Sequence, residues 1–156
     1  MSRTHFLTDA SELEFASASA AILLDDAGRY LLQRRDDIPR IWYPGHWGLF
    51  GGAIEPGESA LDAMVRELAE EIGIEIPAAR FELFLRQDFA LGWRDDARRE
   101  RHFFSAVLAP EEIARLTLGE GAEMRWVTGE EALGELPLAP YDSFGLFLHH
   151  ARRRVR

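Results

Sequence analysis

Three glutamates lie within five residues of this chain, and their spacing could serve chemistry. Glu67, Glu70 and Glu71 stand at positions i, i+3 and i+4, so a helix would place their carboxylates on one face. Like charges at this spacing destabilise a helix by about 0.2–0.5 kcal/mol for each pair. Mg²⁺ and Mn²⁺ prefer carboxylate, carbonyl and water oxygens, so a bound cation would replace this repulsion with attraction. Taken alone, the three residues could equally form a solvated acidic face.

The glutamates belong to a longer pattern, which reads GGAIEPGESALDAMVRELAEEIGI over Gly51–Ile74. Gly52 is followed after five residues by Glu58, and seven further residues lead to Arg66 and Glu67. This stretch closely resembles the Nudix box, G-x5-E-x7-R-E-U-x-E-E-x-G-U, in which U is a bulky aliphatic residue, and every fixed position matches. A chance match has a probability on the order of 10⁻⁹ per starting position. The complete register favours a functional site over a solvated face.

The resemblance implies a metal-dependent pyrophosphohydrolase. Such an enzyme cleaves a nucleoside diphosphate linked to another moiety by water attack on phosphorus, and we expect a nucleoside triphosphate or a nucleotide derivative as the substrate. The implied cofactor is Mg²⁺ or Mn²⁺, with Glu67, Glu70 and Glu71 as catalytic ligands. By the same resemblance, the Gly51 carbonyl is expected to supply one more metal oxygen.

Other positions of the box have supporting roles. Gly52 lets the backbone approach a ligand closely, and we expect it to contact substrate. Glu58 and Arg66 are expected to form an ion pair that ties the glycine loop to the helix. In the family such a pair orients the helix carboxylates.

A further acidic ligand is expected from the loop GEGAEMRW. The MutT-type Nudix pattern places an acidic residue six positions before a tryptophan, which selects Glu120 relative to Trp126. Other branches place it nearer, which selects Glu123. Either residue is also a candidate general base, with Glu67 as the alternative. An exposed acidic turn is the competing interpretation.

The substrate contacts are less strongly marked in the sequence. Arg35 matches an arginine that MutT-type members direct at substrate phosphates, although a surface ion pair would also explain it. Tyr43 is the candidate for stacking on a nucleobase, whereas Trp47 is expected in the core. Tyr141 stands near the MutT-type asparagine that reads an oxidised purine, so it is a candidate substrate contact. Its identity argues against oxidised-purine hydrolysis, and the substrate stays open.

The elements that must position these residues follow from periodicity. Leu61, Met64, Leu68 and Ile72 form an apolar stripe, which predicts a helix over Ser59–Ile72 that ends at Gly73. Runs such as SASAAILL and RERHFFSAVL predict strands, and His102 is expected at a sheet edge. A terminal helix is expected over about residues 141–154. The order of elements predicts an α/β (α+β) fold, an α/β/α sandwich with a mixed sheet between helices.

Composition limits the remaining function classes. The 156 residues carry a net charge of -9 and no cysteine, which predicts a single Nudix domain over residues 1–156, located in the cytoplasm. The charge argues against binding duplex nucleic acid, and ASASAAILL is too short to span a membrane. The expected partner is a small nucleotide, and a homodimer is expected only by analogy. The alternatives are a non-catalytic nucleotide sensor with this fold and a hydrolase of RNA caps.

Overall fold

The structure, a computed structural model, describes residues 16–39, 41–90 and 98–155. Its six strands are β1 (Ala18–Leu24), β2 (Tyr30–Arg34), β3 (Trp47–Gly48), β4 (Glu82–Ala90), β5 (Arg98–Val107) and β6 (Glu123–Val127). Its α-helices are α1 (Ala60–Ile72), α2 (Pro110–Ile113), α3 (Gly129–Gly134) and α4 (Pro140–Arg154), and one 3₁₀ turn spans Ala78–Arg80. No helix of the described residues has both the length and the apolar character needed to cross a membrane.

The six strands form one mixed sheet, as predicted. The strand order is β3-β2-β1-β5-β4, and β6 also pairs with β2. β1 and β5 run parallel, from Ala18 opposite Arg101 to Leu24 opposite Val107. The other described pairs, β1–β2, β2–β3, β2–β6 and β4–β5, are antiparallel.

The prediction that His102 lies at a sheet edge is wrong. His102 stands opposite Ser19 of β1 and opposite Arg86 of β4. β4 pairs with β5 on the side that faces away from β1, so β5 is an interior strand. The alternating pattern of RERHFFSAVL identifies a strand but does not say which neighbours pair with it.

Two apolar cores lie on opposite faces of the sheet. Ala21 and Leu23 of β1 belong to the cluster that includes Met64 and Leu68 of α1. Ile22 of β1 belongs to the other cluster, which includes Leu146 of α4 and Phe103 of β5. Successive side chains of a strand point to opposite faces, so β1 contributes to both cores. The predicted sandwich with a sheet between helices is therefore confirmed.

Helix α1 begins at Ala60, one residue later than predicted, and ends at Ile72 as predicted, and of the predicted apolar stripe only Leu61 is partly exposed. The Ser59 hydroxyl accepts a hydrogen bond from the Asp62 amide and caps the N-terminus. Gly73 ends the helix in the left-handed conformation, with φ at 69°, and its amide donates to the Ala69 carbonyl. Met64, Leu68 and Ile72 are fully buried, which fixes the rotation of the helix on the sheet and hence the direction of its glutamates.

Candidate active site

One cleft of about 520 Å³ brings together most of the residues that the sequence singled out. Carboxylates and the glycine turn contribute part of its wall, and cationic and aromatic side chains contribute another part. The residues that line the cleft include Gly51, Gly52, Glu67, Glu71 and Glu120, together with Gln33, Arg35, Trp42, Phe89, Arg101 and Tyr141.

The glycine turn is held against strand β1 by backbone hydrogen bonds. The Ser19 amide donates to the Gly52 carbonyl over 2.9 Å. Gly51 has φ at 127°, and a side chain there would overlap the Ser19 carbonyl. A methyl group on Gly52 would overlap the carboxylate of Glu67. The two glycines therefore allow the turn to pass directly beside the acidic face of α1.

Glu71 is the most deeply buried acid of this face, with 6% of its surface exposed. Its Oε2 accepts a hydrogen bond from the Gly51 amide over 2.7 Å, and its Oε1 accepts one from Nε2 of Gln33 over 3.1 Å. The pKa of Glu71 is raised to about 7, mainly by burial and also by the charges of Glu67 and Glu120, whereas the two hydrogen bonds act in the opposite direction. The carboxylate is thus fixed in position and disfavoured as an isolated charge.

Gln33 was not predicted as part of the site. It is the polar end of the buried run Tyr30–Gln33 in β2, and only 4% of it is exposed. A polar side chain that continues a buried strand needs a buried partner, and this is the signal that could have identified it.

Glu67 also faces the cleft. Burial is the main cause that raises its pKa, and the charges of Glu70 and Glu120 add to this, whereas Arg66 lowers it. Nη1 of Arg66 donates to Oε1 of Glu67 over 2.8 Å. Glu67, Glu71 and Glu120 therefore form a set of carboxylates that repel one another.

Arg66 connects the glycine loop to the helix, as the sequence predicted. Its Nε donates to Oε1 of Glu58 over 2.9 Å, and its Nη2 donates to Oε2 over 3.0 Å. Nη2 also donates to the Ala53 carbonyl, and Nη1 lies 3.5 Å from a carboxylate oxygen of Glu70. The hydrogen bonds to Glu58 and Glu67 raise the pKa of Arg66, and the hydrogen bond from Arg66 lowers the pKa of Glu58. One guanidinium thus offsets much of the repulsion along the helix face.

The other three predicted acidic residues, Glu70, Glu120 and Glu123, differ in their position relative to the cleft. The Glu70 side chain is 54% exposed, and Glu70 is not among the described residues that line the cleft. Glu120 lines it. Glu123 stands opposite Arg34 in the β2–β6 pair, with an ion-pair distance of 3.3 Å, and lies outside the lining. The structure thus brings Glu120, but not Glu123, together with Glu67 and Glu71.

Arg35 and the aromatic residues lie around the N-terminus of α4. Nε of Arg35 donates to the Trp42 carbonyl over 2.7 Å. The ring of Tyr43 packs edge-on at 5.5 Å from that of Tyr141, whose pKa burial raises to about 12. Trp42 and Tyr141 line the cleft, whereas Tyr43 is not among its described lining residues. Trp47 is buried in the core, as predicted.

The ion pair between Arg101 and Asp142 was not predicted from the sequence. Nε and Nη2 of Arg101 donate to Oδ1 of Asp142 over 3.0 and 2.5 Å. Oδ2 of Asp142 accepts a hydrogen bond from the Leu49 amide over 3.0 Å. These residues come from β5, α4 and the segment after β3, and 41 positions separate the charged pair. No local pattern in the sequence marks such a contact.

The acidic residues suit a hard divalent cation. Among the described residues, no three acidic or histidine side chains already form a metal cage. Glu67 and Glu71 are instead satisfied by donors from the protein. Their raised pKa values and their mutual repulsion are nevertheless what a bound cation would relieve, and carboxylate and carbonyl oxygens are the ligands that Mg²⁺ and Mn²⁺ prefer. Arg66 would keep Glu58 as a partner if Glu67 bound a metal.

The comparisons with known proteins agree with this geometry. The family model described as NUDIX domain matches residues 14–145. A Bacillus subtilis protein provisionally named as an 8-oxo-dGTP diphosphatase is 32% identical over 126 residues, which are 80% of this chain and 71% of that protein. The nucleoside triphosphatase NudI of Salmonella typhimurium is 31% identical over 131 residues, which are 80% of this chain and 91% of NudI.

Solved structures show the same fold. The MutT protein of Methanosarcina mazei is 26% identical, with a TM-score of 0.71, and the match covers 93% of this chain and 99% of that one. The E. coli ORF135 protein is 28% identical, with a TM-score of 0.66, over 93% of this chain and 95% of that one. With the family model matching most of its length, the chain belongs to the Nudix family of phosphoanhydride hydrolases and is MutT-like within it.

Proposed function

We propose that this protein is a nucleoside triphosphate pyrophosphohydrolase that requires Mg²⁺ or Mn²⁺. It would cleave the α–β phosphoanhydride bond by water attack on phosphorus and release a nucleoside monophosphate and pyrophosphate. The names of relatives that span most of the chain support a nucleoside triphosphate as the substrate class. The observation that carries the proposal is the convergence of Glu67, Glu71 and Glu120 beside the Gly51–Gly52 turn in one cleft.

The acidic residues would hold the metal. Glu67, Glu71 and Glu120 are the candidate side-chain ligands, and the Gly51 carbonyl is the candidate backbone ligand. Glu70 remains a candidate because of its register in the box, although its side chain is mostly exposed. When bound, the cation would neutralise phosphate charge and lower the pKa of a water molecule.

The remaining residues would position the groups and move the proton. Glu58 and Arg66 hold the glycine loop against α1, so the acidic face keeps its geometry. Glu120 is the first candidate for the base that takes the proton from the attacking water, and Glu67 is the alternative. Arg35 lies near Tyr141 and would bind substrate phosphate, while Trp42 and Tyr141 offer aromatic faces to the base.

The test is a hydrolysis screen over nucleoside triphosphates, nucleotide sugars and dinucleotides. Each substrate is assayed with Mg²⁺, with Mn²⁺ and with a chelator, and the products are separated to distinguish pyrophosphate from phosphate release. We expect triphosphates to be cleaved only with metal. Nucleotide binding without turnover of any substrate would contradict the proposal and favour the non-catalytic sensor, and turnover of capped RNA alone would favour the RNA-cap hydrolase.

Glu71→Gln is the matching variant. It keeps the shape of the side chain and removes the charge, and we expect the loss of at least about 99% of turnover. Circular dichroism and thermal unfolding should show that the variant is folded. Wild-type turnover in the folded variant would contradict the role of Glu71.

The extent of the domain, the location of the protein and its oligomeric state are proposed as well. We propose that residues 1–156 form one Nudix domain and that the protein acts in the cytoplasm. A homodimer is proposed by analogy alone. Limited proteolysis, fractionation of the source cells and light scattering coupled to size exclusion would test these points in turn.

A further inference from the structure

The guanidinium of Arg101 is a fixed group in the wall of the cleft. Two of its nitrogens donate to Oδ1 of Asp142, and its side chain is only 14% exposed. Asp142 is 2% exposed, and its other oxygen accepts from the Leu49 amide, so the acid is itself held by the backbone. The guanidinium also lies over the ring of Tyr141, at 4.7 Å from the ring centre. Because Asp142 binds one edge of the guanidinium and Tyr141 packs against one face, the Arg101 guanidinium has little freedom to rotate.

Among the described residues, one edge of this guanidinium has no partner, which leaves it available to a ligand. Nε and Nη2 are both engaged by Asp142, whereas Nη1 has no acceptor within the part of the chain that the structure describes. Nη1 carries two N–H donors in the plane of the guanidinium. Because Arg101 lines the cleft, a bound molecule could accept from them.

Charge compensation separates the role of Arg101 from that of Arg35. Asp142 offsets the charge of Arg101, so the pair as a whole attracts a phosphate weakly. Arg35 lines the same cleft, donates to the Trp42 carbonyl and forms no ion pair with any described carboxylate. Arg35 is therefore better suited to phosphate, and Arg101 is better suited to a neutral acceptor such as a carbonyl oxygen.

We propose that Arg101 reads the nucleobase, that Asp142 positions it, and that the cleft prefers a purine with a carbonyl at position 6 over one with an amino group there. The inference rests on the proposed function in that it assumes a nucleotide in this cleft. A 6-carbonyl accepts from Nη1. A 6-amino group presents a donor to a donor, so both groups would be left without partners in a partly buried site.

Binding of the monophosphates IMP and AMP, measured by calorimetry, tests the inference. IMP has a carbonyl at position 6 and a proton on N1, whereas AMP has an amino group at position 6 and an unprotonated N1, and their binding is measured without turnover. We expect IMP to bind at least about tenfold more tightly to the wild-type protein. Equal affinity, or no binding of either ligand, would overturn the inference.

Arg101→Lys is the informative variant, because it keeps the positive charge beside Asp142 and removes the planar edge. We expect it to stay folded and to lose most of the preference for IMP. Arg98→Lys is the matched control on the same strand, where an exposed side chain pairs with Asp88, and it should keep the wild-type preference. An equal loss of affinity for IMP and AMP in Arg101→Lys would indicate that Arg101 contacts the phosphate, which both ligands share, and would overturn the proposal.

Asp142→Asn tests the positioning role. It keeps an acceptor for the Leu49 amide and weakens the hold on Arg101. We expect the ratio of kcat/KM for ITP over ATP to fall about tenfold through KM, with kcat for ITP changed less than about threefold. A lower melting temperature with an unchanged ratio would overturn the positioning role. A preference for IMP in a protein that cleaves no triphosphate would support the base-reading site and contradict only the proposed function.

Discussion

Gln33 in strand β2 donates a hydrogen bond to Glu71 in helix α1 over 3.1 Å, and the two residues are 38 positions apart. The same Nε2 atom lies 3.2 Å from the Leu49 carbonyl. Together with the Gly51 amide, Gln33 supplies the donors that replace water around a carboxylate that is almost fully buried. Without these donors the buried charge would be far more costly.

Gln33→Met removes the side-chain donor to Glu71 and keeps the approximate volume. The loss should raise the pKa of Glu71 further and weaken metal binding, because a group that orients a ligand typically accounts for about 10–100-fold in metal affinity or activity. We expect the Mg²⁺ concentration for half-maximal activity to rise at least about tenfold. Gln87→Met in β4, outside the described lining of the cleft, is the control. The same Mg²⁺ requirement in Gln33→Met and wild type would contradict this role.

Glu120→Gln and Glu123→Gln form a matched pair. Glu120 lines the cleft and acts electrostatically on both Glu67 and Glu71, whereas Glu123 pairs with Arg34. We expect Glu120→Gln to lower kcat by about 10²–10⁴-fold, in the range of a lost acid–base group. Glu123→Gln should stay within about threefold of wild type, because an exposed ion pair contributes little. The reverse order of effects in steady-state kinetics would assign the loop ligand to Glu123.

Gly52→Ala should affect activity more than stability. Its backbone conformation is ordinary, but the added methyl group would meet the Glu67 carboxylate and displace it. We expect kcat to fall at least about tenfold, since displacements of about an ångström at an active site can cost about 10²-fold. Gly57→Ala is the contrasting variant, because its methyl group meets nothing within 4 Å while its φ is 83°. It should lose about 1 kcal/mol of stability and keep its activity. A wild-type kcat in Gly52→Ala would contradict a functional role for the close approach of Gly52 to the Glu67 carboxylate.

His149 should make the protein less stable in mild acid. Burial is the main cause that lowers its pKa from 6.5 to about 4, with smaller contributions from Arg153, Arg152 and His150. The Tyr30 hydroxyl lies 3.1 Å from Nδ1, so the neutral ring can accept its hydrogen bond. Below pH 6.5 the unfolded chain binds a proton at this position that the folded chain binds only near pH 4. The free energy of unfolding therefore falls as the pH falls through that window.

The comparison of wild type with His149→Gln measures this contribution. From the two pKa values we expect on the order of 1–2 kcal/mol of stability to be lost by the wild type between pH 7.5 and pH 5 because of His149. His149→Gln cannot take up this proton, so denaturant unfolding should show a correspondingly smaller loss over the same range. Equal losses in the two proteins would show that His149 does not control the effect.

The sequence by itself determined the features that depend on neighbours in the chain. Helix α1, its cap at Ser59, its end at Gly73 and its buried stripe all follow from residues within one or two turns of each other. The resemblance to the box also implied the pairing of Glu58 with Arg66, which the structure shows. The match to the box identified the family, and the order of strands and helices along the chain predicted the fold.

The tertiary structure decided which of these residues share the cleft. Glu70 and Glu71 are adjacent in the sequence, yet packing of α1 on the sheet buries one and exposes the other. Glu120 and Glu123 are close together in the sequence, and it is the pairing of β6 with β2 that places Glu123 beside Arg34. Gln33 and the pair of Arg101 with Asp142 join elements far apart in the chain. Such contacts depend on how strands and helices pack, and no local pattern of residue types specifies that packing.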